Sequence, residues 1–297
     1  MIIVHFVINA SRPLSNKSKR AIELCVQSQH LECFKYFTKG PKDAVYLTKE
    51  SIEKGAKMVI SVGGDGTCNE VLNGIRKAGN SDVIMGIIPN GTGNDFAKML
   101  SEFRPDKFLR LVESQTFRKI DVLKVSGASI SQYALNIAGG GFDGFVVNML
   151  NSQREKLKLG GKFSYALAIL RSFVLYKKPI VELHSEEFQY AGKCLLVAAC
   201  NGSTFGHGLI IHPKASLNNG VFGVTLMGNV TLLDYVKYLG KLKKGIEISH
   251  PEVRYFETKK LQISAQNAPL YSQLDGEFLS NESLTIEVVP EGLRFLK

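Results

Sequence analysis

The sequence predicts a two-part α/β protein, a doubly wound α/β domain followed by an antiparallel β-sandwich domain. Three observations predict it. Up to Ile120-Asp121, apolar runs alternate with helical patterns, as in a parallel sheet covered on both faces. Beyond that point short apolar runs follow one another with few long helices, the texture of an antiparallel sandwich or barrel. Two glycine-rich turns in the first part each stand between an apolar run and a helical pattern, where the carboxyl ends of parallel strands gather ligands.

In order, Ile2–Ile8 reads as a strand and Lys17–Gln29 as a helix with Ala21, Ile22, Leu24, Cys25 and Val26 on a rough apolar face. Leu31–Thr38 is a strand, Asp43–Lys54 a helix and Met58–Val62 a strand again. Asn69–Lys77 is helical, with Val71, Leu72 and Ile75 on one side. Val83–Ile88 is a strand, and helices follow at Asp95–Leu100 and Asp106–Glu113. In the second part strands are expected at Val122–Val125, Gln132–Ile137, Ile180–Leu183, Cys194–Cys200, Gly223–Leu226, Leu261–Ser264, Leu270–Leu274 and Leu284–Val289. Helices are expected at Phe163–Tyr176 and Leu232–Lys243.

Bulk properties narrow the class. The 297 residues are enough for two ordinary domains, and 44% hydrophobic with 22% charged residues argues against disorder. No run reaches the roughly 18 apolar residues of a membrane span, and the short apolar start containing His5 reads as a strand rather than a signal peptide. The cysteines, Cys25, Cys33, Cys68, Cys194 and Cys200, are scattered without a CxxC pair, which fits a reducing cytoplasm. A net charge of +10 favours anionic partners, and no nucleic-acid recognition motif accompanies it. Part of that charge lies in Arg154, Lys156, Lys158 and Lys162, and part in Lys237, Lys241, Lys243 and Lys244; taken alone, each group reads as a solvated helix face.

The turns carry the chemistry. They are Gly63-Gly64-Asp65-Gly66-Thr67 and Asn90-Gly91-Thr92-Gly93-Asn94-Asp95. Glycine lets the backbone approach phosphate oxygens with its N–H groups, and a helix starting at the turn adds the positive end of its dipole. Thr67 and Thr92 can donate hydroxyl hydrogen bonds, and Asn69 and Glu70 can support the turn from behind. A carboxylate such as Asp65 would repel phosphates unless Mg²⁺ bridges them. Each turn alone is also explained by glycine geometry and helix capping; two matching turns point to nucleotide binding. No Gly-Lys-Ser/Thr is present, which excludes a P-loop. Gly139, Gly141 and Gly144 match GxGxxG, but the acidic residue expected further on is missing, so this reads as a tight turn placing Asp143 near an interdomain cleft. Asp275-Gly276 is a hairpin signal whose tip can present Asp275 and Glu277.

These residues resemble the diacylglycerol kinase catalytic-domain family, the bacterial lipid kinases related to sphingosine and ceramide kinases. The resemblance rests on Gly63–Thr67 with Asn69-Glu70, on the block Pro89–Ala97, and on Ile120-Asp121. It continues through Asn136 with Gly140–Asp143, Asn201-Gly202 and Asp275-Gly276-Glu277. It implies a nucleotide-binding domain over residues 1–121, completed by a strand within 284–297, and a sandwich over 122–283. It implies ATP in the cleft, against Asn9, Ala10, Ser11, Thr38, Gly63, Gly64, Asp65, Gly66, Thr67, Asn69, Glu70, Gly91 and Thr92. Asp65 and Asp95 would join the Mg²⁺ network. Glu277, with Asp275 beside it, would be the base on the lipid hydroxyl. The acceptor is by default diacylglycerol; an undecaprenol-like, sphingoid or phosphatidylglycerol acceptor is the other option. The substrate would be met at a membrane surface by a cytoplasmic, peripherally associated enzyme, and the basic stretch Lys156–Lys178 with Leu167, Leu170, Phe173 and Val174 would suit that surface. No protein partner is implied, and a homodimer is left open.

Two departures stand out. Asn9-Ala10-Ser11-Arg12-Pro13 lacks the family's loop glycine. A second, structural Mg²⁺ site at Ser216, Asn219 and Val221 is expected to be absent or weak, because Asn218, Asn219 and Gly223 replace acids. Those losses keep a non-catalytic nucleotide- or lipid-binding sensor as the rival reading. A NAD kinase is a further rival that the Gly91–Ala97 block disfavours.

Overall fold

The computed structural model describes residues 1–80, 82–100, 102–156, 169, 171–206 and 208–297. The chain divides into two compact units. The first holds Met1–Val122, Gly206–Gly208 and Val289–Lys297; the second holds Leu123–Phe205 and Leu209–Val288.

In the first unit, strands β1 (Ile2–Ile8), β2 (Leu31–Phe37), β3 (Met58–Gly63) and β4 (Ile84–Pro89) form a parallel sheet in the order β2-β1-β3-β4. The register sets Val4 opposite both Cys33 and Met58, and Met58 opposite Ile84. The end of the last strand, β18 (Leu284–Leu296), adds to it, Arg294 pairing in parallel with Ile84. Val4, Phe6 and Ile8 pack with Ala21, Ile22 and Cys25 of α1 (Asn16–Gln27) and with Phe108 and Val112 of α5 (Pro105–Glu113). Helices α2 (Asp43–Glu53) and α3 (Asp65–Ala78) lie against each other and against β1 and β3. They come so close that a Cβ on Gly74 would stand 2.5 Å from Thr48 Cβ. The doubly wound expectation holds. One boundary is corrected: α3 begins at Asp65, not Asn69, so Asp65, Gly66 and Thr67 already form its first turn.

The second unit contains two antiparallel sheets. One is ordered β14 (Val253–Thr258), β13 (Phe222–Met227), β10 (Leu196–Cys200), β7 (Ile137–Gly141), β16 (Ser272–Leu274), β17 (Glu277–Ser280). The other runs from the start of β18 through β15 (Lys260–Ala265) and β8 (Ile180–His184) to β9 (Gln189–Lys193). Leu183, Leu261, Ile263 and Ile286 of one sheet meet Val197, Val224, Leu226 and Leu274 of the other in a shared core. This is the β-sandwich. The outer face of the six-stranded sheet is covered through Phe142 and Val146 of α6 (Phe142–Lys156) and Leu242 of α7 (Leu232–Lys244).

Two expectations here are corrected. The strand expected over Gln132–Ile137 is two, β6 (Ser131–Ala134) and β7, in different sheets. The break falls where the Leu135, Asn136 and Ile137 amides turn to the Asp275 carboxylate. The GxGxxG segment is strand and then helix, not a tight turn. Its glycines are explained by close packing: a Cβ on Gly139 would lie 2.0 Å from the Val197 carbonyl oxygen, and one on Gly144 2.2 Å from that of Tyr271. The edge strands β9 and β14 are not signalled by the sequence, because Gln189, Gly192 and Lys193 in one and Arg254 and Glu257 in the other interrupt any apolar run. Half of the helix expected at Phe163–Tyr176, with Leu167, Leu170 and the side chains of Arg154, Lys156, Lys158 and Lys162, lies outside the described residues.

Candidate active site

Strand order in the first unit reverses between β1 and β3, and the predicted nucleotide residues collect at the carboxyl ends of the strands around that point. Asn9 follows β1. Its Oδ1 accepts from the Ser11 N–H at 2.9 Å and the Ser11 hydroxyl at 2.6 Å, an Asx turn that shapes the loop without a glycine. Its Nδ2 donates to Thr67 Oγ1 at 3.0 Å, crossing the reversal. The Ala10 N–H donates to Thr38 Oγ1 at the end of β2, at 3.2 Å. Arg12 Nη1 donates to Thr92 Oγ1. Thus successive residues of the loop Asn9–Arg12 are tied to Thr67, Thr38 and Thr92, and Arg12 brings a cation beside them.

The two glycine turns touch backbone to backbone. A Cβ on Gly91 would lie 2.4 Å from Gly64 Cα, so neither turn tolerates a side chain there without moving. Gly63 is tied to its own helix, since a Cβ would stand 2.4 Å from Thr67 Oγ1. The second turn closes on Asn94, at φ 51°, which exchanges hydrogen bonds with Gly91 at 2.9 Å in each direction. Such a left-handed residue is one that Asn tolerates.

The carboxylates have defined tasks. Asp65 accepts from the Asp95 N–H on Oδ2 and the Phe96 N–H on Oδ1, both at 3.1 Å, so it caps the short helix α4 (Asp95–Lys98) and pins one glycine turn to the other. Burial pushes its carboxyl above the usual range, and the two N–H donors oppose that shift. Gly93 leaves room for it, since a Cβ would meet Asp65 Oδ2 at 3.0 Å. Asp95 is buried, with Lys98 Nζ 3.1 Å from its Oδ1. Glu70 caps α2, accepting from Lys42 N–H at 2.8 Å and Ala44 N–H at 3.1 Å, a task the sequence did not signal. Asn69 is buried and accepts from Asn73 Nδ2. Asp121 receives the Glu291 N–H at 2.8 Å.

In the second unit, Asp275 and Gly276, at φ 49° and 85°, form the tip between β16 and β17. Asp275 is buried. Its Oδ2 accepts from Leu135 N–H at 2.8 Å; its Oδ1 accepts from Asn136 and Ile137 N–H at 2.9 and 3.0 Å. It anchors the hairpin, while Glu277 is exposed. Asn201 joins the same knot, its Nδ2 donating to the Leu135 carbonyl at 2.8 Å while Asn201 and Gly202 N–H reach the Asn136 carbonyl at 2.9 Å. Sequence reading missed Gln273. Its Oε1 accepts from Gly276 N–H at 2.9 Å, and its Nε2 donates to Asp143 Oδ2 at 3.1 Å. Asp143 therefore supports the hairpin from the start of α6, and burial pushes its carboxyl up to about 6. No alternation rule could flag Gln273, a buried polar residue in a three-residue strand.

At Ser216–Val221, Ser216 Oγ donates to Asn218 Oδ1 at 3.1 Å. The missing acid at Gly223 has a steric reason: a Cβ there would lie 2.3 Å from the His212 ring, which bonds Thr225 Oγ1 at 3.1 Å. Among the described residues no three His, Cys, Asp or Glu side chains group to hold a metal ion.

Residues 4–125 match the model of the diacylglycerol kinase catalytic domain, and residues 136–297 that of the YegS C-terminal NAD kinase beta sandwich-like domain. The chain belongs to the diacylglycerol kinase catalytic-domain family. A relative from Alcanivorax borkumensis named "Probable lipid kinase YegS-like" is 30% identical over 256 residues, spanning 85% of this chain and 82% of its own. The diacylglycerol kinase of Bacillus subtilis is 28% identical over 239 residues, covering 80% and 76%. Among solved structures, a diacylglycerol kinase from Bacillus anthracis superposes with a TM-score of 0.71 at 18% identity, covering 99% of this chain and 96% of that one. A NAD kinase from Archaeoglobus fulgidus in complex with ATP reaches a TM-score of 0.54 at 14% identity, covering 99% and 93%; at such identities the fold is what is shared. As a family member the protein is a lipid kinase in the broad sense, and the family implies use of a nucleotide.

Proposed function

We propose that the protein transfers the γ-phosphate of ATP to the hydroxyl of a membrane lipid, with a diacylglycerol-like alcohol as acceptor. One observation carries the reading: two glycine turns locked together at the strand-order reversal, with Asn9, Thr67 and Thr92 knitted around them and α3 beginning at the first. This arrangement offers backbone N–H groups and a helix N-terminus to phosphates. Arg12 adds positive charge. The donor set fits Mg²⁺: Asp65 and Asp95 supply two carboxylates, the number magnesium commonly combines with substrate phosphates and water. Bound there, Mg²⁺ would neutralise phosphate charge.

Glu277 takes the acceptor's proton. As the lipid oxygen bonds to the γ-phosphorus, the bond to the β,γ-bridging oxygen breaks and ADP leaves with that electron pair. Phosphoryl transfer of this kind needs placement and charge stabilisation more than covalent help from the protein. Asp275 is an anchoring residue, because its oxygens are held by three backbone N–H groups. The names of the relatives support a lipid acceptor.

The sensor reading draws on Asn218, Asn219 and Gly223. Incubation with γ-labelled ATP and a total lipid extract decides between them. Wild type should yield labelled lipid, and Glu277→Gln and Asp65→Ala should not. Equal label from all three removes the residue assignments. No label from any of them leaves the sensor.

A further inference from the structure

We infer that the outer face of α7, with the neighbouring turn of helix at residues 171–175, is the surface on which the protein sits on an anionic membrane. The inference rests on the reading above, in which the acceptor is a membrane lipid, and adds where the protein meets it.

The exposed positions of α7 recur at three- and four-residue steps: Leu233, Val236, Lys237, Gly240, Lys243 and Lys244. A solvated helix face would be polar throughout. Here Leu233 is 82% and Val236 61% exposed. The segment 171–175 packs beside this helix through Phe173, whose ring lies 5.2 Å from that of Tyr235. It brings two further large apolar side chains to the surface, Val174 at 80% and Leu175 at 51% exposure. Half of this patch is not signalled by the sequence, in which the basic residues of α7 read as a solvated face.

Charge selects the occupant. Lys237, Lys243 and Lys244 share the face with Leu233 and Val236, and exposed Arg171 and Lys177 flank Val174 and Leu175. The one acid of α7, Asp234, is turned to the capping box with Thr231, accepting from its N–H at 3.0 Å and its hydroxyl at 2.7 Å. The exposed stripe of α7 therefore carries no carboxylate. Apolar side chains that enter the headgroup layer, ringed by lysines that pair with lipid phosphates, are the composition of an interfacial surface. A soluble protein partner of matching chemistry would need a strongly acidic rim around an apolar centre, and a second copy of this chain would set lysines against lysines.

The test uses the full chain and sedimentation with vesicles of phosphatidylcholine, with and without phosphatidylglycerol. Wild type should sediment with the phosphatidylglycerol vesicles, less at high salt, and far less with phosphatidylcholine alone. Replacing Lys237, Lys243 and Lys244 with Gln should weaken partitioning about 100-fold, at the usual contribution of each lysine near an anionic surface. Leu233→Asp with Val236→Asp should weaken it at least about tenfold. Both variants alter exposed positions, so circular dichroism should match wild type. Vesicle binding equal to wild type in both variants, or no binding by wild type, overturns the inference. So does a change in self-association by ultracentrifugation with no change in vesicle binding. A water-soluble short-chain diacylglycerol separates the two readings: phosphorylation of it without vesicle binding refutes the surface alone. Vesicle binding through this face without phosphorylation of any lipid refutes the kinase alone.

Discussion

Asp275 and Glu277 are two residues apart, yet the structure divides their tasks in a way that can be measured. Asp275→Asn keeps a residue type that accepts the left-handed φ of 49°. It also keeps an oxygen for the Asn136 and Ile137 N–H groups. Its amide then faces the Leu135 N–H, donor against donor, in a buried place. Losing one charge-assisted bond and leaving that N–H unsatisfied costs about 3 kcal/mol. For a unit of this size that lowers the thermal midpoint by roughly 6–12 °C. Glu277→Gln changes an exposed side chain and should leave the midpoint within about 1 °C of wild type. Activity should show the reverse order. Glu277→Gln loses at least about 100-fold in kcat, the usual contribution of a general base. Asp275→Asn, assayed well below its midpoint, loses less. Differential scanning calorimetry and initial rates on the same preparations decide. An Asp275→Asn protein that melts like wild type, or a Glu277→Gln protein that keeps full kcat, refutes the division.

Asp143 gives the second unit a pH dependence. Its folded carboxyl ionises near 6, above its unfolded value, so the folded chain binds more protons between about pH 4 and 6. Stability therefore falls as pH rises through that window and is level above it, with a total loss of about 3 kcal/mol. In Asp143→Asn urea midpoints should lose that slope; an unchanged slope refutes the assignment. Gly91→Ala should weaken binding of a non-hydrolysable ATP analogue at least about tenfold by calorimetry, because the new Cβ forces the two turns apart. Asn9→Ala should raise the KM for ATP about tenfold at near-constant kcat through loss of the bonds to Thr67 and Ser11. Titrating Mg²⁺ into nucleotide-free protein should show no tight stoichiometric site that Asn219→Ala abolishes, since Asn brings no charge to the ion.

The amino-acid sequence by itself determined the fold class, because hydrophobic period is a local property: strand and helix signals alternate up to Asp121 and change afterwards. It also determined the nucleotide turns, because glycine, threonine and acid at fixed local spacing state a backbone conformation. Only the tertiary structure decided what the carboxylates do. Asp65 is bonded to Asp95 and Phe96, Glu70 to the start of α2, and Asp275 to amides more than a hundred residues away. A carboxylate's task depends on which donors surround it, and those donors come from segments distant in sequence. The same holds for Gly139 and Gly223, where the reason for glycine is the backbone of β10 in one case and the His212 ring in the other. It holds also for the apolar stripe of α7, since which helix face stays uncovered is set by what packs against the opposite one.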